Sequence, residues 1–235
     1  MIDFHTHILP GIDDGSRNVE ESLILLKKES EQDIKKILAT PHFYAHKESV
    51  SHFLKCREEA YQKMAVSMSE MQLDIPVLTG AEVYYFAGMG GAEQLRSLCV
   101  QNTPLLLLEL PFVQWTGEIY EDVKKMIEKQ KITVLLAHVE RYYEFQKDKT
   151  VWERIFELPL YAQMNTGGME RRKKRRFVEQ FVKSGVPFVL GSDCHNNKER
   201  LPNMQDGISF LQKNFGQEMI NRIQETEERL LMQHE

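Results

Sequence analysis

The chain has 235 residues, 42% of them hydrophobic and 28% charged, with a formal net charge of -5. That length buries a sizeable core, so one domain spanning 1–235 is expected, and these proportions exclude a largely disordered chain. The acidic balance gives no general attraction to nucleic acid or acidic lipid, and no apolar run is long enough to cross a bilayer. From the charged first residues no signal peptide is expected, and Cys56, Cys99 and Cys194 lack metal-finger spacing. A cytoplasmic protein with reduced thiols, no membrane insertion and no nucleic-acid partner is expected.

Short apolar runs alternate with longer helical stretches, the pattern of β-α units and parallel strands. A first strand at 2–4 leads into Asp3-Phe4-His5-Thr6-His7. At the strand period, Ile2 and Phe4 share one face and Asp3, His5 and His7 the other. Two imidazoles there form a pincer for a divalent metal, with Asp3 placed to orient one ring. Two ordinary polar residues at a strand end would look the same, so the pair carries weight only if matching residues recur. A turn through Pro10, Gly11 and Gly15 precedes a helix boxed at its start by Asn18 and Glu21 and running to about residue 30.

A second strand at 36–39 closes on Thr40-Pro41-His42, and the long helix after it spaces Phe53, Met64, Met68 and Met71 as core. The third strand, 75–78, ends in Gly80-Ala81-Glu82; the fourth, 104–108, runs into Glu109; the fifth, 132–137, ends at His138. A sixth at 161–164 ends at Asn165. The seventh, 186–190, follows the helix-ending Gly185 and runs into Gly191-Ser192-Asp193-Cys194-His195. A helical tail, 216–235, either caps the barrel or joins subunits, so the oligomeric state stays open.

Six of the seven strands end on a His, Asp or Glu, and in barrels of parallel strands those ends open on one face, where chemistry is done. His46, His52 and His234 fall outside the pattern and are read as solvated. The ring of candidates is His5, His7, His42, Glu82, Glu109, His138, Asp193 and His195. One metal takes roughly four to six donors, so this ring implies more than one ion. Imidazole and carboxylate without thiolate suit Zn²⁺, Mn²⁺ or Fe, and the commonest chemistry of such a cluster is hydrolysis of phosphoesters.

These motifs carry a resemblance: Asp-Phe-His-Thr-His-Ile-Leu-Pro-Gly-Ile-Asp-Asp-Gly-Ser at 3–16, Ala-Thr-Pro-His at 39–42, Gly-Ala-Glu at 80–82, Glu-Leu-Pro at 109–111, His-Val-Glu-Arg at 138–141 and Ser-Asp-Cys-His at 192–195. The set resembles the polymerase and histidinol phosphatase (PHP) superfamily. Within it, the match is to the bacterial manganese-dependent protein tyrosine phosphatases of capsule and exopolysaccharide operons. The resemblance implies an α/β fold, a distorted (β/α)7 barrel holding three divalent ions, Mn²⁺ with Fe or Zn²⁺ as alternatives. His5, His7, Glu82 and Asp193 would bind one ion, Glu109 and His138 with Glu82 bridging a second, and Asp14, His42 and His195 a third. Asp14 comes from the resemblance alone; its own context, Asp-Asp-Gly-Ser, reads as a turn. Arg141 and Arg200 match arginines that hold the phosphate. Val139 and Cys194 depart from the common pattern without replacing a proposed ligand.

The implied reaction is attack of a metal-held hydroxide on phosphotyrosine in a partner protein, by resemblance the tyrosine-rich tail of a bacterial tyrosine autokinase. Histidinol phosphatase or a nuclease of related architecture is the nearest enzyme alternative, and a non-catalytic phosphotyrosine-binding module is the alternative of another class. Cys194 and Arg200 also have the C-x5-R spacing of thiolate phosphatases, but the intervening residues lack glycine and Cys194 points opposite to Asp193 and His195. The basic run 171–176 reads first as a solvated face and second as an attractor of an acidic phosphopeptide. Tyr84, Tyr85, Phe86, Phe112, Trp115, Tyr142 and Tyr143, just past strand ends, are read as packing singly and as pocket walls for an aromatic ring as a set.

Overall fold

Apolar runs flanked by helices pair side by side because both faces of a parallel strand are covered. In the computed structural model, which describes residues 1–232, the strands are β1 (Ile2–Thr6), β2 (Lys36–Ala39), β3 (His42–Phe43), β4 (Val77–Thr79), β5 (Glu82–Tyr84), β6 (Leu105–Glu109), β7 (Thr133–Leu136), β8 (Tyr161–Asn165) and β9 (Phe188–Gly191). All pair in parallel, in the orders β1-β2-β4 and β3-β5-β6-β7-β8-β9. Nine strands are seven passages of chain. The second passage breaks at Thr40-Pro41, where proline offers no amide, and the third at Gly80-Ala81; there Gly80 N–H donates to Ala39 O (2.8 Å) and Glu82 N–H to Pro41 O (3.0 Å). On the other side Asp193 N–H donates to His5 O (2.8 Å) and His7 N–H to Cys194 O (2.9 Å), and Thr6 bridges Cys194 in parallel. The ring is closed, so the expected distorted seven-passage barrel is borne out.

Alternation on β6 shows how the strands serve two cores. Leu105 and Leu107 join Phe4, Leu38, Leu135, Ala137 and Val189 inside the barrel. Leu106 and Leu108 face the helices with Leu25, Leu26, Met64 and Met126. Those helices are α1 (Val19–Glu31), α2 (Val50–Glu70), α3 (Gly117–Glu128), α4 (Thr150–Phe156), α5 (Arg172–Ser184), α6 (Met204–Phe215) and α7 (Gln217–Met232). Asn18 caps α1 by accepting from Glu21 N–H (2.9 Å), while the Glu21 carboxylate accepts from the Arg17 amide (3.2 Å). Met71, expected in the core stripe of α2, is 56% exposed because the helix ends just before it.

One expectation resolves at the barrel base. Leu230 of α7 completes the interior cluster and Glu227 accepts from Ile2 N–H (3.1 Å), so through residue 232 the tail caps the barrel. His234 and the end of the 216–235 tail lie outside the described residues. His46 and His52 are exposed, as read.

Candidate metal centre

The seven passages bring residues in or just past their strands to one mouth. His5 and His7 come from the end of β1, His42 from β3, Glu82 from β5, Glu109 from β6, His138 from just past β7, and Asp193 and His195 from beyond β9. The clearest convergence is among His5, His7, Glu82 and Asp193. His5 Nε2 lies 3.1 Å from His7 Nε2 and 3.1 Å from Glu82 Oε2; His7 Nε2 lies 3.2 Å from that oxygen. Asp193 Oδ1 is 3.6 and 3.5 Å from the two nitrogens. Edges of this length are what ligand atoms take when each sits about 2.1 Å from one ion.

The other candidates adjoin this group. His138 Nε2 is 2.9 Å from Glu82 Oε1 and 3.5 Å from Glu109 Oε1. Asp14 Oδ1 is 3.5 Å from His42 Nε2 and 3.6 Å from His195 Nε2, and His7 also reaches that group. Beyond the grouping drawn from the resemblance, His42 lies close to Glu82 and Glu109, with its Nδ1 3.0 Å from Glu82 Oε2. All nine expected positions therefore surround one site, Asp14 at its exposed rim. Glu82 Oε2, His42 Nδ1 and His195 Nε2 are buried and aimed inward without a well-aligned hydrogen bond of their own. This donor chemistry fits divalent cations.

Electrostatics point the same way. Burial alone would raise the Glu82 and Asp193 carboxyls, yet the histidines around them, His5 foremost, hold both well below the usual range. Burial disfavours charge on His7 and His138 too, but Asp13 carries His7 well above an ordinary histidine, and Glu109 with Glu82 lifts His138 to about 9. His195 goes the other way, pushed to about 3 by burial and by His7 beside it. The pocket thus concentrates negative charge that calls for cations.

Two orienting residues lie outside the expected set. Asp13 Oδ2 is 2.7 Å from His7 Nδ1 and accepts from His42 N–H (2.9 Å), fixing the first ring so that Nε2 faces the site. Gln163 Oε1 lies 2.9 Å from His5 Nδ1 and accepts from His138 N–H (2.7 Å). Asp3, expected to orient a ring, does not: its Oδ1 accepts from the amides of His5 (3.1 Å) and Ser192 (3.0 Å), with Glu29 of α1 alongside. The β1 register slips between Asp3 and Thr6, so Asp3 and His5 no longer share a face. His138 and Asp193 adopt left-handed backbone, φ +29° and +53°, a strained conformation kept by the surrounding fold.

The arginines stand at the rim. Arg200 Nη2 lies 2.7 Å from Asp193 Oδ1 and Arg141 Nη1 3.8 Å from Oδ2, and Arg141 stacks over Phe112 with 4.6 Å to the ring centre. A cavity of about 870 Å³ opens from them past Tyr143 toward α5. The expected aromatic wall divides. Trp115 and Tyr142 are buried, and Tyr85 donates to Asp122 (3.0 Å), so these pack. Tyr143 lines the cavity, Phe112 stacks on His138, and Tyr44, which the sequence did not single out, lies beside His42 and Tyr84. Cys194 is fully buried, and burial pushes its thiol well up, with the Glu29 and Asp3 charges adding to the rise. It is unsuited to attack phosphorus.

A parallel barrel with clustered His, Asp and Glu at its C-terminal mouth and two arginines beside them presents the donor set of a divalent-metal centre. The chain belongs to the family described as "Capsular polysaccharide synthesis, CpsB/CapC", whose model matches residues 1–233. It is 29% identical to tyrosine-protein phosphatase YwqE of Bacillus subtilis (strain 168), covering 98% of this chain and 91% of that protein. It is 25% identical to tyrosine-protein phosphatase CpsB of Streptococcus agalactiae serotype III (strain NEM316), covering 95% and 94%. Its fold matches a chain from the crystal structures of YwqE from Bacillus subtilis and CpsB from Streptococcus pneumoniae, described as unique metal-dependent tyrosine phosphatases. That superposition has a TM-score of 0.87 at 24% identity over 100% of this chain and 96% of the other. The resemblance read from the motifs is borne out.

Proposed function

We propose that this chain, acting as one catalytic unit over 1–235, is a metal-dependent phosphotyrosine-protein phosphatase of the cytoplasm. Its substrate in this reading is the tyrosine-rich tail of a bacterial tyrosine autokinase that governs capsule or exopolysaccharide synthesis. One observation carries the reading: His5 and His7 each lie within 3.6 Å of both Glu82 and Asp193 at the same mouth that holds Arg141 and Arg200. His5, His7, Glu82 and Asp193 would hold one divalent ion, Glu109, His138 and Glu82 a second, and Asp14, His42 and His195 a third, with Mn²⁺ favoured over Fe or Zn²⁺. Bound there, such ions supply Lewis acidity and a water acidified toward neutrality.

The protein's own groups do the rest. Arg141 and Arg200 bind phosphoryl oxygens, and each guanidinium bond strengthens as charge moves onto those oxygens in a loose transition state. Phe112 holds the Arg141 plane from below. Asp13 and Gln163 keep the Nε2 lone pairs of His7 and His5 turned inward.

The test is hydrolysis of a phosphotyrosine peptide by chelator-stripped protein with Mn²⁺, Zn²⁺ or nothing restored, for wild type, His5→Ala and Cys194→Ser, with histidinol phosphate and single-stranded DNA as competing substrates. Expected is metal-dependent turnover that survives Cys194→Ser and falls in His5→Ala by more than the roughly 10–100-fold typical of an orienting neighbour. Metal-free turnover lost in Cys194→Ser would overturn the reading, as would preference for either competing substrate. Tight phosphopeptide binding without turnover would turn it toward a binding module.

A further inference from the structure

The basic run 171–176 is not absorbed by the phosphoryl site, and the helix geometry sorts it. Arg175 turns outward to Glu179 (2.8 Å) and Asn214 (3.2 Å). Lys174 is tied to Glu140 (3.0 Å) and donates to Gly167 O (2.8 Å). Lys173, Arg176, Phe177 and Gln180, spaced as one helical stripe, line the cavity that contains Arg141, Arg200 and Asp193 at its other end. No carboxylate among the described residues lies within ion-pair reach of Lys173 or Arg176. Cations in the first turn of a helix oppose its dipole and repel one another, so the run works against α5 as a folded element.

The cavity itself is larger than the phosphoryl site needs. At about 870 Å³ it is near the top of the roughly 300–1,000 Å³ range of ligand clefts, more than one phenyl phosphate fills. Tyr143 lines it too, its ring 5.5 Å from that of Phe177. Four acidic side chains, Glu140, Glu144, Asp193 and Glu199, line it against six basic ones, of which Lys173, Lys174 and Arg176 come from α5.

Resting on the phosphatase reading above, we infer that Lys173 and Arg176 form a second anion subsite that selects phosphotyrosine peptides carrying a further negative group, a carboxylate or a second phosphate, near the scissile phosphate. The phosphotyrosine enters between Arg141 and Arg200, the chain runs past Tyr143, and the second anion meets the α5 wall. The effect belongs to substrate binding, so it acts on KM and on salt dependence more than on kcat. Continuity of the cavity with the phosphoryl site favours a peptide over a membrane surface.

The test compares four substrates on the metal-loaded protein: an aryl phosphate, a phosphotyrosine peptide with neutral flanks, one with glutamate flanks, and one with a second phosphotyrosine. The variants are Lys173→Glu/Arg176→Glu and, at two α5 positions that do not line the cavity, Arg172→Glu/Arg175→Glu. Expected is a KM for the two anionic peptides raised roughly tenfold by the first pair and little by the second, lessened by salt, with the aryl phosphate and neutral peptide unchanged. A response to only one anionic peptide names its source as carboxylate or phosphate. Equal effects on all substrates, no effect, or loss only of binding to phosphatidylglycerol-containing vesicles would overturn the subsite. Anisotropy of a fluorescent anionic phosphopeptide reads the same surface without turnover. A wild type inactive on the aryl phosphate but binding through Lys173 and Arg176 would sink the phosphatase reading and spare the subsite.

Discussion

Gln163 shows how much of a metal site rests on a residue with no metal chemistry. Its amide oxygen serves His5 Nδ1 and the His138 amide, and its amide nitrogen donates to Asn165 Oδ1 (2.9 Å). Gln163→Leu removes that acceptor at similar volume and frees the His5 ring to turn or change tautomer. Divalent-metal affinity is expected to fall about 10–100-fold by calorimetric titration, with Gln163→Glu recovering most of it. Equal affinity in the Leu variant would show that the metal orients the ring unaided. The imidazoles and carboxylates were legible because their types recur at strand ends. Gln163 carried a fainter signal, since Tyr161, Gln163 and Asn165 share one face of β8. Asp13 had none, since Asp13 and Asp14 are chemically alike and only the fold sends one under His7 and the other to the rim.

At the scale of elements, the passages were readable because buried parallel strands are short, apolar and punctuated, as in Leu105 to Leu108. What periodicity could not show is where a passage breaks or slips. Pro41 and Gly80 interrupt two strands without ending their course, and the slip in β1 puts Asp3 and His5 on different faces. The loop after β1 belongs to this hidden layer. A Cβ on Gly15 would collide with the His7 carbonyl, come within 2.5 Å of His7 Cβ and within 2.9 Å of Asp13 Oδ1. Gly15→Ala is therefore expected to push Asp13 off His7, lowering thermal stability by roughly 1–3 kcal/mol and metal affinity with it. Parallel calorimetry of metal-free and metal-loaded protein checks this, and a variant with wild-type affinity would mean that the loop yields without moving Asp13.

Over the whole molecule, the barrel separates chemistry at the mouth from closure at the base, where α7 buries Leu230 among the interior leucines and Glu227 meets the start of β1. Burial raises the Glu227 carboxyl from 4.5 to about 7, against the Ile2 amide and the chain's own ammonium, which favour the anion. A raised carboxyl binds its proton more tightly folded than unfolded. Its contribution to stability is thus fully present below 4.5, declines between 4.5 and 7, and is gone above. Glu227→Gln keeps an acceptor for Ile2 N–H and has no charge to bury. It should match wild type at pH 5 within a few tenths of the effect at pH 8, where the gain has an upper bound of about 3 kcal/mol, or a Tm rise of up to about 10 °C. The nearby Asp3 charge adds to the rise at Glu227, so comparing the two proteins at each pH reads Glu227 together with its repulsion from Asp3. Metal affinity and aryl phosphate turnover should not change, because a strand's length separates base from mouth. A stability gain equal at both pH values would show that Glu227 is ionised throughout, and a loss of metal affinity would show that base and mouth are mechanically coupled.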